Sequence, residues 1–314
     1  MKQKLVGSDL VKAKIVLTGG SGLLAVNWAV SMRQTYEIII LLHEREIAIA
    51  GVTAVKVDIG SYEELKVVLS KCQPEIVIHT AGLTSVETCE SNPTLANLVN
   101  VEISANVALV SKELGIKMVH ISTDHLFDGT HPLLSEEIIP SPLNVYGFTK
   151  ELAERKVLET HPQALVIRTN FYGWGTSYRK SFSDMIIFSL REKKQITLYS
   201  DVYYSPIYVN KLISCVHALI SRDANGIFNV VSDSRISKYE FGLNIASEFN
   251  LDTSFIREGL LAPNNHIVKR PLDMSLSNQE VSTVTGMQIG NVKEHIKLMK
   301  LQEQDSSTTE IQHL

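Results

Sequence analysis

The chain has 314 residues, 44% of them hydrophobic and 20% charged, with a net charge of -4. That length exceeds one compact core and predicts a large domain with a smaller one beside it. The mild acidity gives no footprint for nucleic acid or an anionic membrane. No run of about 18 apolar residues and no N-terminal apolar signal segment is read from the chain. Cys72, Cys89 and Cys215 are scattered, without a C-x-x-C pair, and read as reduced thiols of a cytoplasmic protein.

Apolar, β-rich runs at 13–18, 37–43, 55–59, 75–81, 117–123 and 164–170 alternate with helical stretches. They are apolar on both faces, as strands of a parallel sheet covered by helices on each side must be. The fold class expected is α/β, a doubly wound parallel sheet. After residue 170 the alternation loosens; strands are expected at 195–200 and 226–231 with a helix at 209–220 between them, and a mixed region follows from about 234 to 300. The tail from about 302 is polar enough to suggest disorder.

The first strand leads into Thr18-Gly-Gly-Ser-Gly-Leu-Leu-Ala25, which opens a helix. This is the context a dinucleotide loop requires. Gly19 allows a tight turn, Gly22 allows close approach of backbone to a pyrophosphate, and the helix start through Ser21, Leu23 and Leu24 supplies amides and a positive dipole end. The second strand ends Leu42-His-Glu-Arg-Glu46. A carboxylate here suits the ribose 2′-hydroxyl of NAD and a guanidinium suits the 2′-phosphate of NADP. Glu44 and Arg45 keep both readings open, and His43 with Arg45 inclines the expectation to NADPH over NADH. Asp58 and Ile59 end the third strand beside the expected adenine, and Thr80-Ala81-Gly82 ends the fourth with side chains small enough for a cofactor to lie across. Ser122 and Thr123 end the fifth, where ligands bind in such sheets.

Ser141-Pro-Leu-Asn-Val-Tyr-Gly-Phe-Thr-Lys150 follows. Ser141 is the expected N-cap, with Pro142 in the first turn. Tyr146 and Lys150 then stand four apart on one helical face. A phenol titrates at about 10, and a cation within about 4–6 Å lowers that value, so the pair is a candidate general acid for a carbonyl oxygen. Tyr62 and Lys66 have the same spacing but sit in what reads as a capped surface helix, so spacing alone does not choose between them.

Together, Gly19, Gly22, Asp58, Ser122-Thr-Asp-His-Leu-Phe-Asp-Gly129 and Tyr146-x-x-x-Lys150 resemble the extended short-chain dehydrogenase/reductases, and among them the dTDP-4-dehydrorhamnose reductase family. Arg168-Thr-Asn170, Ser205-Pro206 and Arg270-Pro-Leu-Asp273 are similar to that family too. The resemblance implies a Rossmann-type NAD(P)-binding domain at 1–170 and about 201–232. It implies a smaller C-terminal substrate-binding domain at about 171–200 and 233–300, and a polar tail at 301–314. It further implies that Thr123 polarises a ketone, Tyr146 protonates it, and Lys150 tunes Tyr146 and binds the nicotinamide ribose. Asn100 matches a family asparagine on the cofactor side. Thr84, Val86, Asp124, His125, Asn170, Phe171 and Arg270 fall on the substrate side. The implied substrate is a nucleotide-linked 4-keto-6-deoxysugar, and the implied assembly is a homodimer through the helix near 93–114 and the Tyr146 helix, with Leu152 and Val157 between them.

Three departures lie on the substrate side. His125 stands where these reductases usually have tyrosine, Phe171 where they usually have tryptophan, and Asp201-Val-Tyr-Tyr-Ser-Pro206 lacks the usual glutamine and glycine. Two other classes stay in view: a non-catalytic NADP-binding regulatory subunit, similar to the partner of methionine adenosyltransferase, and a sugar-nucleotide epimerase. The Asp-Glu pair of related dehydratases is missing, since Thr123 is followed by Asp124-His125. None of the cysteines falls near this loop, where fucose-forming epimerase-reductases place one. His125 is expected to hydrogen-bond substrate or pack beneath it; the second reading is an imidazole that titrates near neutrality and moves a proton.

Overall fold

The computed structural model describes residues 12–261 and 268–314; the stretches 1–11 and 262–267 of the two expected domains lie outside the described residues. Seven strands build the central sheet: β1 (Lys14–Thr18), β2 (Glu37–Leu42), β3 (Thr53–Lys56), β4 (Ile76–His79), β5 (Lys117–Ile121), β6 (Leu165–Arg168) and β7 (Gly226–Asn229). They run in the order β7-β6-β5-β4-β1-β2-β3, and every neighbouring pair is parallel. Strand order reverses between β1 and β4, and a crevice opens there at the carboxyl ends.

The doubly apolar strands have a direct cause. Ile15 and Leu17 point into one core, where they meet Trp28 and Leu212. Val16, between them, points into the other, with Leu65, Val107 and Val157. Each face is therefore covered by helices, as a parallel sheet demands. The third strand is the exception. It was expected at 55–59, but β3 pairs earlier and is mostly exposed, because it is an edge with no strand beyond it.

The first helices are α1 (Leu23–Met32), α2 (Tyr62–Cys72), α3 (Val86–Ser91), α4 (Pro93–Asn97), α5 (Ile103–Glu113) and α6 (Val145–Thr160). A π-helical turn, Leu98–Glu102, joins α4 to α5. The joined run Pro93–Glu113 is, by length and composition, apolar enough to cross a membrane, contrary to the reading that no such stretch exists. Here it lies on the sheet instead, with Val107, Ala108 and Val110 in the core beside Val77 and Met118. Val157 of α6 packs in that same core, with Val107 of α5. The outward apolar residues of these helices are Leu95, Leu98, Leu109 and Phe148.

The later helices are α7 (Phe182–Arg191), α8 (Val209–Ile220), α9 (Lys238–Glu248), α10 (Gln279–Thr285), α11 (Val292–Gln302) and α12 (Ser306–His313). Short strand pairs stitch this half together. Phe171–Tyr172 runs beside Ile207–Tyr208 and Ile196–Tyr199 beside Ile256–Gly259, while Tyr203–Tyr204 meets Ile236–Ser237 antiparallel. The tail is not the disordered extension expected. Ile311 of α12 is buried, and Glu310 grips Arg33 of α1 through two hydrogen bonds of 2.8 and 2.6 Å. Polar composition misled because one buried side and one paired carboxylate are enough to dock a short helix.

Candidate active site

The carboxyl ends of β1, β4 and β5 line one cleft of about 1050 Å³. The site residues singled out above line it except Glu44 and Arg45, which stand outside. Gly19 takes a φ of 65°, and a Cβ there would stand 2.8 Å from Ala81 Cα. At Gly20 a Cβ would meet Ile40 Cβ at 2.7 Å. The loop is thus a cradle that side chains would fill. Gly22 caps α1 without a side-chain hydrogen bond, so the opening amides of the helix stay available to an anion. These features fit the pyrophosphate of a dinucleotide.

Asp58 accepts the Gly60 amide at 2.9 Å. Asn100 sits in the π turn, a feature that often marks functional sites. Its side chain holds the Leu83 amide at 2.7 Å and donates to Leu83 O at 3.1 Å and to Thr149 Oγ1 at 3.0 Å. It therefore fixes the loop after β4 against α6 as well as lining the cleft.

Helix α6 starts later than expected. Asn144, not Ser141, is the N-cap and accepts from the Gly147 amide at 2.9 Å. Tyr146 and Lys150 are both buried and face the end of β5. Lys150 Nζ donates to Ile121 O at 2.7 Å and lies 3.4 Å from His120 Nε2. Burial lowers its ammonium to about 8, against the opposing charge of Glu154. The Tyr146 phenol is pushed above its ordinary value by burial, partly offset by a hydrogen bond with the Thr123 hydroxyl. Lys150 does not bring the phenol below its ordinary value, because burial outweighs it. The phenol is therefore protonated near neutrality and ready to donate. The decoy pair behaves differently. Lys66 Nζ reaches Tyr62 Oη at 2.8 Å and Glu113 Oε2 at 2.9 Å, on the surface and away from the cleft.

On the substrate side, Asn170 Nδ2 donates to Asp124 Oδ2 at 2.8 Å. The His125 ring meets Tyr146 edge-on, 5.6 Å between centroids. Burial, helped by the charges of Lys238 and Arg270, drops His125 to about 3. It is a neutral imidazole at pH 7. Ser122 Oγ, His125 Nδ1 and Arg270 Nε are buried without a partner among the described residues, and all three residues line the cleft. Buried polar atoms are rarely left so; here they offer contacts to a polar ligand.

A family model described as RmlD substrate binding domain matches residues 13–304. The chain belongs to that family. The probable low-salt glycan biosynthesis reductase of Haloferax volcanii is 28% identical over 274 residues, covering 86% of this chain and 90% of that protein. Methionine adenosyltransferase 2 subunit beta of Rattus norvegicus is 33% identical over 195 residues, only 59% of this chain and 58% of that protein. Among solved structures, dTDP-4-dehydrorhamnose reductase from Bacillus anthracis in complex with NADP aligns with a TM-score of 0.81 at 25% identity, covering 93% of this chain and 99% of the other.

In this member of the RmlD family the cleft also holds residues that the motifs did not reveal. Arg179 and Ser181 line it from the turn before α7, and Phe182 from the first residue of that helix. Lys238 lies over the rings of Phe182 and Tyr204, at 5.4 and 5.9 Å, and its charge bears on both Asp124 and His125. Ser237 and Glu240 around it form a capping box legible in sequence; nothing local shows that the charge of the lysine between them bears on Asp124 and His125.

Asp124 makes a pH prediction. Burial raises its carboxyl to about 7, against the hydrogen bond from Asn170. The unfolded chain has the lower value, about 3.9. Between the two the native state binds more protons, so this group's contribution to stability falls as pH rises from about 4 to 7. Urea unfolding of Asp124→Asn and the unchanged protein at pH 5 and pH 8 should show the variant gaining relative stability at the higher pH. Parallel curves at both pH values would contradict the assignment.

Proposed function

We propose that the chain is an NAD(P)H-dependent reductase of a nucleotide-linked 4-keto-6-deoxysugar. The observation that carries this reading is the convergence of Thr123, Tyr146 and Lys150 at the end of β5, beside the glycine cradle and beneath unpartnered polar atoms of Ser122, His125 and Arg270. Gly19, Gly22 and the start of α1 hold the pyrophosphate; Asp58, Asn100 and Lys150 serve the rest of the dinucleotide. When bound, the nicotinamide cofactor supplies the hydride.

The protein's own part is positioning and protonation. Thr123 donates a hydrogen bond to the ketone oxygen and polarises it. Tyr146, protonated in its buried site, gives its proton to that oxygen. Lys150, held on Ile121 O, would bind the nicotinamide ribose. Neutral His125 shapes the sugar pocket without moving a proton, and Asn170 holds Asp124 in place. On the same resemblance, α5 and α6 pair with their copies in a homodimer.

The test is turnover of NADPH with a panel of 4-keto sugar nucleotides in deuterated water. The expected product carries no deuterium at the carbons flanking the reduced centre, because burial, which lowers His125 to about 3, makes it too weak a base to draw a proton from them. Incorporation that disappears in His125→Ala would make the chain an epimerase instead. A second reading, a non-catalytic NADP-binding regulatory subunit, draws on the likeness to methionine adenosyltransferase 2 subunit beta. It predicts cofactor binding with no turnover of any panel member.

A further inference from the structure

The turn before α7 carries a feature outside every motif. Gly175 N and Ser181 N both donate to Asp184 Oδ2 at 2.8 Å, and the Asp184 carboxylate is buried. Thr176 N donates to Arg179 O at 3.1 Å, and Arg179 N returns to Thr176 Oγ1 at 3.1 Å. A Cβ on Gly175 would stand 2.3 Å from Arg179 O, so the turn is closed on itself and rigid.

From this platform Tyr178 reaches back to the dinucleotide loop. Its hydroxyl donates to Ser21 O at 2.9 Å. The Arg45 guanidinium carbon lies 4.1 Å from the Tyr178 ring centroid. Arg45 is exposed, and without the ring its long side chain would have no fixed direction. Ordering such a side chain on binding costs rotamer entropy. A ring face under the guanidinium removes that cost in advance and leaves the N–H groups, which lie in the guanidinium plane, free for a phosphate.

We propose that Tyr178 is a positioning residue for Arg45, holding its guanidinium beside the glycine loop so that the cleft prefers a dinucleotide with a 2′-phosphate. The inference rests on the dinucleotide reading of the cleft and names its specificity device. It also accounts for Arg45 standing outside the cleft lining: the residue waits at the rim, where a 2′-phosphate projects.

The test uses two probes that need neither nicotinamide nor sugar, adenosine 2′,5′-bisphosphate and 5′-AMP, titrated calorimetrically into the full chain. The unchanged protein should bind the bisphosphate more tightly. Arg45→Ala should weaken the bisphosphate about tenfold or more, as for a hydrogen bond between charged groups, and leave 5′-AMP unchanged. Tyr178→Leu should weaken the bisphosphate by about two- to fivefold, the worth of an exposed cation–π contact, again sparing 5′-AMP. Tyr178→Phe keeps the ring and should keep the preference, and Tyr178→Leu added to Arg45→Ala should cost nothing more. Equal losses for both probes in Tyr178→Leu would reduce Tyr178 to a prop of the turn and overturn the proposal. So would an unchanged preference in Arg45→Ala. Failure of the unchanged protein to bind either probe would instead overturn the dinucleotide reading itself.

Discussion

Tyr146→Phe is expected to lower kcat by about 10²–10⁴, the range for losing a positioned general acid, while the affinity for cofactor stays nearly constant. The phenol is buried between His125 and the Thr123 hydroxyl, and phenylalanine preserves the ring and its packing. Only the transferable proton is lost. The matched control is Tyr62→Phe, which removes the same group from the same four-residue spacing on the surface and should leave turnover unchanged. Single-turnover reduction followed by cofactor absorbance separates the chemical step from release. If Tyr146→Phe turns over normally while Tyr62→Phe does not, the general acid is misassigned.

The second large effect concerns stability. Arg168 at the end of β6 and Glu154 on α6 form a fully buried pair: Arg168 Nε lies 3.1 Å from both carboxylate oxygens and Nη2 2.8 Å from Oε2. Their side chains are 2% and 4% exposed. Removing one partner of such a pair strands a charge in the interior and costs about 3–5 kcal/mol. Glu154→Ala is therefore expected to unfold at markedly lower denaturant. Glu154→Leu combined with Arg168→Met should recover much of the loss, since two apolar side chains of similar volume leave no buried charge. A double variant as unstable as the single one would show that the cost lies in packing. The pair has a functional side too. It ties the helix carrying Tyr146 and Lys150 to the strand that ends two residues before Asn170, which holds Asp124. Partial loosening should appear as a lower kcat before any loss of fold.

Much of the molecule was legible from local chemistry. The strands announced themselves because a parallel sheet buried on both faces needs continuous apolar runs, and those runs lie within one or two residues of β1, β2, β4, β5 and β6. The helix expected at 209–220 is α8. The glycine loop was legible because only glycine tolerates the φ of Gly19 and the approach of Ala81. Tyr146 and Lys150 were legible because helical periodicity fixes which residues share a face. These are properties of neighbours along the chain, and the sequence by itself determined them.

What the tertiary structure alone decided depends on groups brought together from distant positions. The sequence implied that Lys150 lowers the Tyr146 phenol; in the fold the ammonium is bound to Ile121 O, and desolvation by the surrounding elements outweighs any cation. The sequence left open whether His125 titrates near neutrality; burial and the charges of Lys238 and Arg270 keep it neutral. The charge of Lys238 on Asp124 and His125 and the place of Arg179 in the cleft carry no motif, because they exist only once the second half of the chain folds over the first. Helix α12 was hidden for the same reason, since its anchor is Arg33 on α1. Spacing can place a titratable group on a face, but its charge state is set by what water is excluded from it and which charges face it, and both are properties of the assembled fold.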